Sequence, residues 1–378
     1  YEGMSDNLQN KIRKGEVGSL LNVFTPEEVD ILQKIAVEES PSHIPLIIAR
    51  DVIHGYKTIF PIPLGQAASF DPEIVEQGGR VAAIESRERG ITWTFAPMLD
   101  ISRDARWGRI AESLGEDPYL AGTLGAAMVK GFQGDESSAE TSMAACVKHF
   151  IGYGAAEGGR DYNSTNIPPY LLRNVYLKPF KSAIDAGALT LMTSFNDNDG
   201  IPVSGNKFLL RDVLRKEWGF NGFVVSDWRS VYEMIPHGFA KDDKDAARIS
   251  ANAGLDMEMV SETYIRFLKE LVKDGKVSET DIDNSVRSIL RVKLKIYATE
   301  HLNAARQSAI KSAILLKNDG VLPLKKSQKI AVFGPMADAP HDQLGTWVFD
   351  GDKNYTVTPI KALQTEYKDV KYTYEPIL

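Results

Sequence analysis

The sequence is poor in cysteine, in long hydrophobic runs and in concentrated positive charge. Its one cysteine, Cys146, lies in the apolar run MAACV, which indicates a small buried side chain. A single cysteine also excludes an intrachain disulfide and a cysteine-rich zinc site. No run approaches the roughly 20 apolar residues of a membrane-spanning helix, so no membrane association is predicted. Lys and Arg are dispersed and the net charge is −7, which disfavours a nucleic-acid partner.

Signatures of metal and nucleotide chemistry are missing as well. The sequence has no HExxH pair, no P-loop and no GxSxG elbow, and its histidines are scattered. They are His43, His54, His149, His237, His301 and His341. We therefore expect no metal and no cofactor, and a neutral or small soluble substrate.

The composition that remains is that of a globular protein. The chain has 378 residues, of which 43% are hydrophobic and 25% charged, enough for one large domain and part of a second. It begins at Tyr1 rather than Met and shows no signal peptide. We expect an upstream segment that was cleaved, trimmed or left out.

Short apolar runs alternate with longer amphipathic segments. The predicted strands are PLIIA (45–49), TWTFAP (92–97), AACVKHF (144–150), LTLMTSF (189–195), GFVVSD (222–227) and, more weakly, NAGLDMEM (252–259). The predicted helices span 71–90, 117–134, 168–187 and 206–219, with Pro near most starts and Gly near the ends. Strands that are apolar on both faces and alternate with helices predict an α/β fold, a (β/α)8-barrel-like domain with a parallel sheet.

Polar residues follow nearly every predicted strand. They are Asp51 after LIIAR, Lys148 and His149 after ACV, Ser194 and Asn196 around LMTSF, Asp227 after VVS, and Glu258 in the weaker run. In a βα barrel the carboxyl ends of the strands meet at one mouth, where the chemistry takes place. Charged residues at the ends of buried strands cost desolvation unless they are paired or used, so their number predicts a site.

The pattern changes near residue 300. We divide the chain into a barrel-like domain, 1–298, and a linker with the start of a second α/β domain, 299–378, whose first strand is IAVFGP (330–335). About 75 residues are too few to complete that domain. Its FGPMAD turn lacks the glycine spacing of a dinucleotide-binding loop.

Asp227 in NGFVVSDW is the strongest catalytic candidate. A carboxylate beside the aromatic ring of Trp228 suits sugar chemistry, because the ring stacks on the sugar and the carboxylate attacks the anomeric carbon. The alternative is that Asp227 caps a helix that begins at Trp228.

The other candidates also carry alternatives. Lys148 and His149 could bind a ring of hydroxyls, or Lys148 could be solvated and His149 could cap a carbonyl; a Schiff-base role for Lys148 is a third possibility. Asp51 could accept from two hydroxyls, or pair with Arg50 or cap a helix. Arg109 lies in the dense Arg–Asp–Trp loop MLDISRDARWGRIAE, where one Arg could enter the pocket.

Taken together, the motifs resemble glycoside hydrolase family 3. The stretches LIIARDVIHGYKTIFPIPLGQAASFDPE, TFAPMLDISRDARWGR, ESLGEDPYLAG, ACVKHFIGYGAAEGGRDYN, LMTSFNDNDGIPVSGN and GFVVSDW occur in family order. The resemblance covers roughly residues 17–298 and resumes with HLNAARQSAIKSAILLKNDGVLPLKK. It implies a barrel-like domain followed by an α/β sandwich domain, here incomplete.

The resemblance implies a role for each candidate. Asp227 would be the nucleophile of a retaining mechanism, and Trp228 and Met192 would form part of the pocket wall. The residues implied to hold the sugar hydroxyls are Asp51, Arg109, Lys148 and His149. The implied activity is that of an exo-acting β-glucosidase on a β-glucoside or oligosaccharide, in the periplasm or secreted. The oligomeric state is left open.

Three alternatives and three departures accompany this interpretation. A β-xylosidase, a Schiff-base lyase or aldolase using Lys148, and a non-catalytic sugar-binding relative are the competing hypotheses. Phe195 stands where many members have Tyr, which removes a possible hydrogen bond to the nucleophile. The acid/base glutamate of the family belongs to the second domain, beyond residue 378, so neither Glu258 nor Asp100 is assigned that role. The YATEHLNAA junction is shorter than the family's linker. We therefore expect residues to be missing there.

Overall fold

The computed structural model describes residues 4–23, 25–135, 140–312, 317–344, 353 and 356–374. The chain forms two compact units, Tyr1–Arg306 and Gln307–Leu378. Each unit is described by itself.

A seven-stranded parallel sheet forms the centre of the first unit. Its strands lie in the order β1-β2-β3-β4-β5-β8-β9, and every neighbouring pair is parallel. They are β1 (Ser19–Leu21), β2 (Ile47–Arg50), β3 (Trp93–Thr94), β4 (Ala144–Phe150), β5 (Thr190–Thr193), β8 (Phe223–Trp228) and β9 (Met257–Met259). Between β5 and β8, the short strands β6 (Asp197–Asn198) and β7 (Ile201–Pro202) form an antiparallel hairpin.

Helices follow most strands. The α-helices that begin in the first unit are α1 (Asp6–Arg13), α2 (Pro26–Lys34), α3 (Pro63–Ala67), α4 (Pro72–Arg87), α5 (Pro118–Gln133), α6 (Pro169–Leu171), α7 (Leu177–Asp185), α8 (Ser230–Glu233), α9 (Asp243–Ala253), α10 (Thr263–Lys273) and α11 (Glu279–Ser312). Segments Ile35–Glu39, Leu172–Tyr176 and Phe208–Glu217 are π-helical. Short 3₁₀ turns span Ile110–Glu112, Tyr153–Ala155, Glu157–Gly159 and Val203–Gly205.

The inner face of the curled sheet is filled with apolar side chains. These are Ile47, Ala49, Trp93, Phe95, Ala144, Cys146, Met192, Phe223, Val225 and Met259, joined by Val292 and Ile296 of α11. Since side chains alternate between faces along a strand, the inward position that follows Val225 is Asp227. In the same way Lys148 follows Cys146. The alternation that builds the core therefore delivers charged side chains to the carboxyl end of the sheet.

Helix α11 closes the opposite end of the barrel. Lys293 on this helix is buried, and its Nζ donates to the carbonyl oxygens of Gly18 and Pro45, at 2.7 and 2.8 Å. Those residues lie just before β1 and β2, so the contact marks the amino ends of the strands. Burial lowers the pKa of Lys293 to about 8.

This buried lysine predicts a pH-dependent stability. Because the folded pKa of about 8 lies below the unfolded value of 10.5, the unfolded chain binds more protons between those pH values. The free energy of unfolding of the wild type should therefore rise with pH across that window, by about 1–3 kcal/mol relative to Lys293→Met. Urea unfolding at both ends of the window measures the difference. Lys295→Met, at an exposed position of the same helix, is the matched control; it retains Lys293 and should therefore show the same rise as the wild type.

The fold class predicted from the sequence is confirmed, with corrections at the level of elements. All six predicted strands are present, but TWTFAP pairs over only two residues, and β1 was missed. The segment predicted as a helix over 206–219 is π-helical from Phe208 to Glu217. Cys146 is buried, as expected. Asp117 caps α5 by accepting from Leu120 N at 2.7 Å.

The second unit contains a parallel pair, β10 (Ile330–Phe333) and β11 (Val370–Thr373), with helix α12 (Pro359–Glu366) between them in the chain. Short 3₁₀ turns follow β10 at Pro335–Asp338 and Asp342–Leu344. The strand predicted at 330–335 is thus found. In the part of the chain that the structure describes, no helix is both long enough and apolar enough to cross a membrane.

Candidate active site

The strand-end residues of β2, β4 and β8 meet at the mouth of the barrel. Lys148 and His149 are neighbours in β4, which would point them to opposite faces in a regular strand. The pairing of β4 with β5 gains an extra residue between Val147 and Phe150, so the alternation is interrupted there. Both side chains consequently reach the same site, one toward Asp51 and the other toward Asp227.

Asp227 is the buried carboxylate at the centre of the mouth. Its Oδ1 accepts the backbone N–H of Trp228 at 2.6 Å, while Oδ2 is buried without a hydrogen-bond partner in the described residues. Burial raises the pKa of Asp227 to about 6, against the lowering effect of that N–H and of the charges on Lys148 and Arg109. The group is therefore ionised near neutral pH, with one unshared oxygen.

His149 is held between two carboxylates. Asp100 Oδ2 accepts from the His149 backbone N–H at 2.9 Å and from Nδ1 at 2.7 Å, and Nε2 lies 3.3 Å from Asp227 Oδ2. Burial lowers the pKa of His149 well below its usual value, so the ring is neutral. With its proton on Nδ1, the ring turns the lone pair of Nε2 toward Asp227. This contact is therefore neither an ion pair nor a hydrogen bond while Asp227 is ionised, which agrees with the unpartnered Oδ2.

Asp100 is fully enclosed on the far side of that ring. Burial raises the pKa of Asp100 to about 7, and its Oδ1 has no hydrogen-bond partner in the described residues. The two hydrogen bonds from His149 to its other oxygen fix both the tautomer and the orientation of the imidazole. Asp100 acts on the site through His149 rather than at its surface.

Lys148 and Asp51 form a second charged pair. Lys148 Nζ donates to Asp51 Oδ1 at 3.2 Å; the lysine is buried, whereas 56% of the Asp51 side chain is exposed. The buried ammonium group of Lys148 therefore holds the carboxylate of Asp51 in place at the solvent-exposed surface of the site. An exposed acceptor anchored in this way is suited to binding adjacent hydroxyl groups.

Arg109 is fixed by Glu112. Its Nε and Nη2 donate to the two carboxylate oxygens of Glu112, at 2.6 and 2.9 Å, and the guanidinium lies 5.6 Å from the centre of the Tyr153 ring. A bidentate pair holds the planar guanidinium in one orientation. The charge on Arg109 lowers the pKa of Asp227, so the arginine faces the same site.

Aromatic rings form one wall of the site. Phe195 packs against Tyr153 and Tyr162, with ring centres 5.5 and 4.7 Å apart, and lies 6.4 Å from the His149 ring. Trp228, immediately after Asp227, is 50% exposed. Phe195 thus brings an apolar ring, without a hydroxyl donor, to the side of His149, whose Nε2 lies 3.3 Å from the unpartnered Asp227 oxygen.

The structure decides several alternatives that the sequence left open. The helix after β8 begins at Ser230 and its capping position is Arg229, so the N-cap interpretation of Asp227 is wrong. Lys148 is buried, not solvated, and the His149 ring contacts carboxylates, not a carbonyl cap.

Two further candidates lie away from the mouth. Glu258 accepts from Thr263 Oγ1 and Tyr264 N, both at 2.7 Å, and so binds the start of α10 instead of entering the mouth. Met192 is buried in the apolar cluster beneath the mouth.

Sequence reasoning missed the residues that orient the site. Glu112 and Tyr153 carried no strand-end signal, and Asp100 was noted only as an unassigned carboxylate in MLDIS. The signal that could have found Asp100 is the apolar run that it ends, FAPMLD. Within the described residues, no group of three or more His, Cys, Asp or Glu is placed to hold a metal ion.

Two family models match the chain. The N-terminal domain of glycosyl hydrolase family 3 matches residues 3–292, and the C-terminal domain of the same family matches residues 313–375. The first match covers the whole sheet and every site residue described above.

Known proteins give the same result. The chain is 40% identical to the periplasmic β-glucosidase of Salmonella typhimurium, over 96% of this chain and 50% of the relative. It is 32% identical to a β-xylosidase of Formosa agariphila, over 85% of this chain and 50% of the relative. The chain thus spans about half the length of these relatives.

Solved structures agree with these matches. β-Glucosidase from Listeria innocua in complex with glucose is 42% identical, with a TM-score of 0.71 over 95% of this chain and 52% of the other. The complex of a variant of that enzyme with laminaribiose is 40% identical, with a TM-score of 0.74 over 99% and 55%. The chain therefore belongs to glycosyl hydrolase family 3.

Proposed function

We propose that the protein is a retaining, exo-acting β-glucosidase in which Asp227 is the nucleophile. The observation that supports this most strongly is that Asp227, at the carboxyl end of the sheet, is a buried, ionised carboxylate with one unshared oxygen that faces the mouth. A nucleophile needs both properties, because a proton or a hydrogen bond on the attacking oxygen would reduce its reactivity. The sugar-binding relatives described above favour a glucosyl substrate.

In the first step Asp227 Oδ2 forms a bond to the anomeric carbon while the bond to the aglycone oxygen breaks. The developing positive charge on the sugar is stabilised by the carboxylate. In the second step water attacks the anomeric carbon of the glycosyl-enzyme, its proton passes to a base that is assigned to no residue of this chain, and the carboxylate is released. Two displacements at one carbon restore its original configuration.

The surrounding residues would hold the sugar ring. Asp51 and the Nε2 lone pair of His149 would accept from hydroxyl groups, while Lys148 and Arg109 would donate to them and keep Asp227 ionised. Asp100 and Glu112 would act indirectly, by fixing His149 and Arg109. Trp228 would stack on the apolar face of a sugar. The acid that protonates the leaving oxygen is assigned to no residue of this chain, and the resemblance places it beyond residue 378.

Mass spectrometry after incubation with a 2-deoxy-2-fluoroglucoside carrying a dinitrophenolate leaving group tests this proposal. Such a leaving group needs no protonation, so the test does not depend on which residue acts as the acid. We expect a stable adduct of one fluoroglucosyl unit on the peptide that contains Asp227. An adduct on another carboxylate would move the nucleophile, and the absence of any adduct on folded protein would reject glucosyl transfer.

A β-xylosidase is the second candidate, because the matched relatives include a β-xylosidase. The corresponding fluoroxyloside distinguishes the two. Faster labelling by the glucoside supports the first proposal, since a pocket built to bind the C6 hydroxyl group discriminates against an analogue that lacks it.

We also propose the location and the domain division. Export to the periplasm or beyond is supported by the name of the Salmonella relative. A division into residues 1–298 and 299–378, the second part being the incomplete start of an α/β sandwich, is supported by the two family matches and by the change of compact unit near residue 306.

A further inference from the structure

Glu233 is a carboxylate at the mouth that the proposed mechanism does not use. It is the last residue of α8, the short helix that begins three residues after Asp227. The chain reaches this helix through Arg229, whose left-handed conformation (φ 58°) turns the backbone sharply after β8. The position of Glu233 relative to Asp227 is therefore set by one tight turn rather than by a long loop.

The backbone around Glu233 is held firmly. Arg229 N donates to Met259 O at 2.9 Å, and the hydroxyls of Ser230 and Ser204 are 2.9 Å apart. Tyr232 N donates to Ser261 Oγ at 3.3 Å. A side chain on such a support keeps its place without a partner of its own.

The carboxylate itself is not satisfied. Glu233 is half-buried, and its Oε2 is shielded from water without a hydrogen-bond partner in the described residues. The nearby cation, Arg229, lies over the Tyr232 ring at 4.6 Å. Leaving a buried acceptor without a donor costs free energy that a ligand hydroxyl would recover.

Glu233 and the nucleophile also influence each other's charge. Burial, together with the negative charges of Asp227 and Asp161, raises the pKa of Glu233 to about 7 against the lowering effect of the charge on Arg229. Burial also raises the pKa of Tyr162, and the charges of Asp161, Glu233 and Asp227 add to that effect. Glu233 therefore shares its surroundings with the nucleophile and with Tyr162.

Exposed aromatic rings lie on the same stretch of chain and on the site wall: Trp228 and Tyr232 precede Glu233 in the chain, and Tyr162 packs against Phe195. Trp228, Tyr162 and Tyr232 are 50%, 49% and 39% exposed. Aromatic faces bind the apolar faces of sugars, whereas an unpaired carboxylate binds hydroxyl groups. Together they match the two chemical faces of a second sugar ring.

We propose that Glu233 is the specificity-determining residue of a subsite for a leaving group that is itself a sugar. The inference rests on the proposed function. The glycone is held by the pairs around Lys148 and Arg109, and the next sugar lies against the exposed rings and donates a hydroxyl to Glu233. The preferred substrate class is then a β-linked di- or oligosaccharide rather than a glucoside with an apolar aglycone.

The test is made on the full-length protein, because cleavage of a disaccharide needs an acid that is assigned to no residue of this chain. It compares kcat/KM for a disaccharide with kcat/KM for dinitrophenyl β-glucoside, since both report the first displacement. The disaccharide is the best substrate among laminaribiose, cellobiose and gentiobiose. In Glu233→Ala we expect the ratio to fall by at least about tenfold. Glu233→Gln should show a smaller fall, because the amide oxygen still accepts. Glu270→Gln, a surface change on α10, should leave the ratio as it is in the wild type.

Each other outcome overturns the inference. These outcomes are a ratio within about twofold of the wild type, an equal loss on both substrates, or a wild type that cleaves the aryl glucoside but none of the disaccharides. Loss on dinitrophenyl glucoside with retention on dinitrophenyl xyloside would instead assign Glu233 to the C6 hydroxyl of the glycone. In all four cases the glucosidase proposal stands. A wild type inactive on every glycoside would refute both.

Discussion

Asp227→Asn is expected to lower kcat/KM for activated aryl glucosides by at least about a thousandfold. The amide keeps the shape of the side chain and can still accept the backbone N–H of Trp228 that Oδ1 accepts in the wild type. It lacks the charge that attacks the anomeric carbon and stabilises the positive sugar. Steady-state kinetics with dinitrophenyl β-glucoside measure the loss, and an unchanged melting temperature would assign it to chemistry.

Rescue of a second variant, Asp227→Ala, by a small anion provides the positive control. In Asp227→Ala, azide can enter the vacated space and attack the anomeric carbon, so a glucosyl azide of inverted configuration is expected. Asp212→Asn, on the outer π-helical segment where Asp212 pairs with Lys216, is the matched isosteric control. Full activity in Asp227→Asn, or azide product from the control, would contradict the assignment.

The sequence allowed the charged side chains of the site to be predicted, because they belong to a regular pattern. Because alternate residues of a strand share a face, Asp227 faces inward like Val225 and Lys148 faces inward like Cys146. A buried strand that ends in a charged residue therefore predicts a functional site at the carboxyl end of the sheet. The partners could not be predicted in the same way. Glu112 meets Arg109 within a loop, and Asp100 meets His149 across 49 residues of chain.

The corrections have physical causes as well. β1 has only three residues and is partly exposed, so it gives no apolar run in the sequence. The extra residue in β4 that turns both Lys148 and His149 into the site depends on pairing with β5, which a single strand does not reveal. The unpartnered oxygens of Asp227 and Glu233 are properties of three-dimensional surroundings.

Lys148→Met is expected to lower kcat/KM by about 100-fold and to move the acid limb of the pH profile to higher pH. The pKa of Asp227 is about 6, because burial raises it and the charge on Lys148 is among the effects that lower it. Without that charge the pKa rises, so more of the nucleophile is protonated at a given pH. The limb of kcat/KM, which follows the free enzyme, should shift upward by as much as about one pH unit. Methionine fills the buried space of the lysine stem without charge.

Two control variants and a trapping experiment test this role of Lys148. Lys130→Met, at an exposed position of α5, should retain both the rate and the limb of the wild type. Lys148→Arg, which keeps the charge, should leave the limb nearer its original pH even if the larger group impairs binding. A limb that stays in place in Lys148→Met would show that Asp227 is tuned by other groups. Wild-type protein treated with substrate and borohydride should gain no mass on Lys148. A reduced adduct there would make this amine the nucleophile, because only an imine to Lys148 would be trapped.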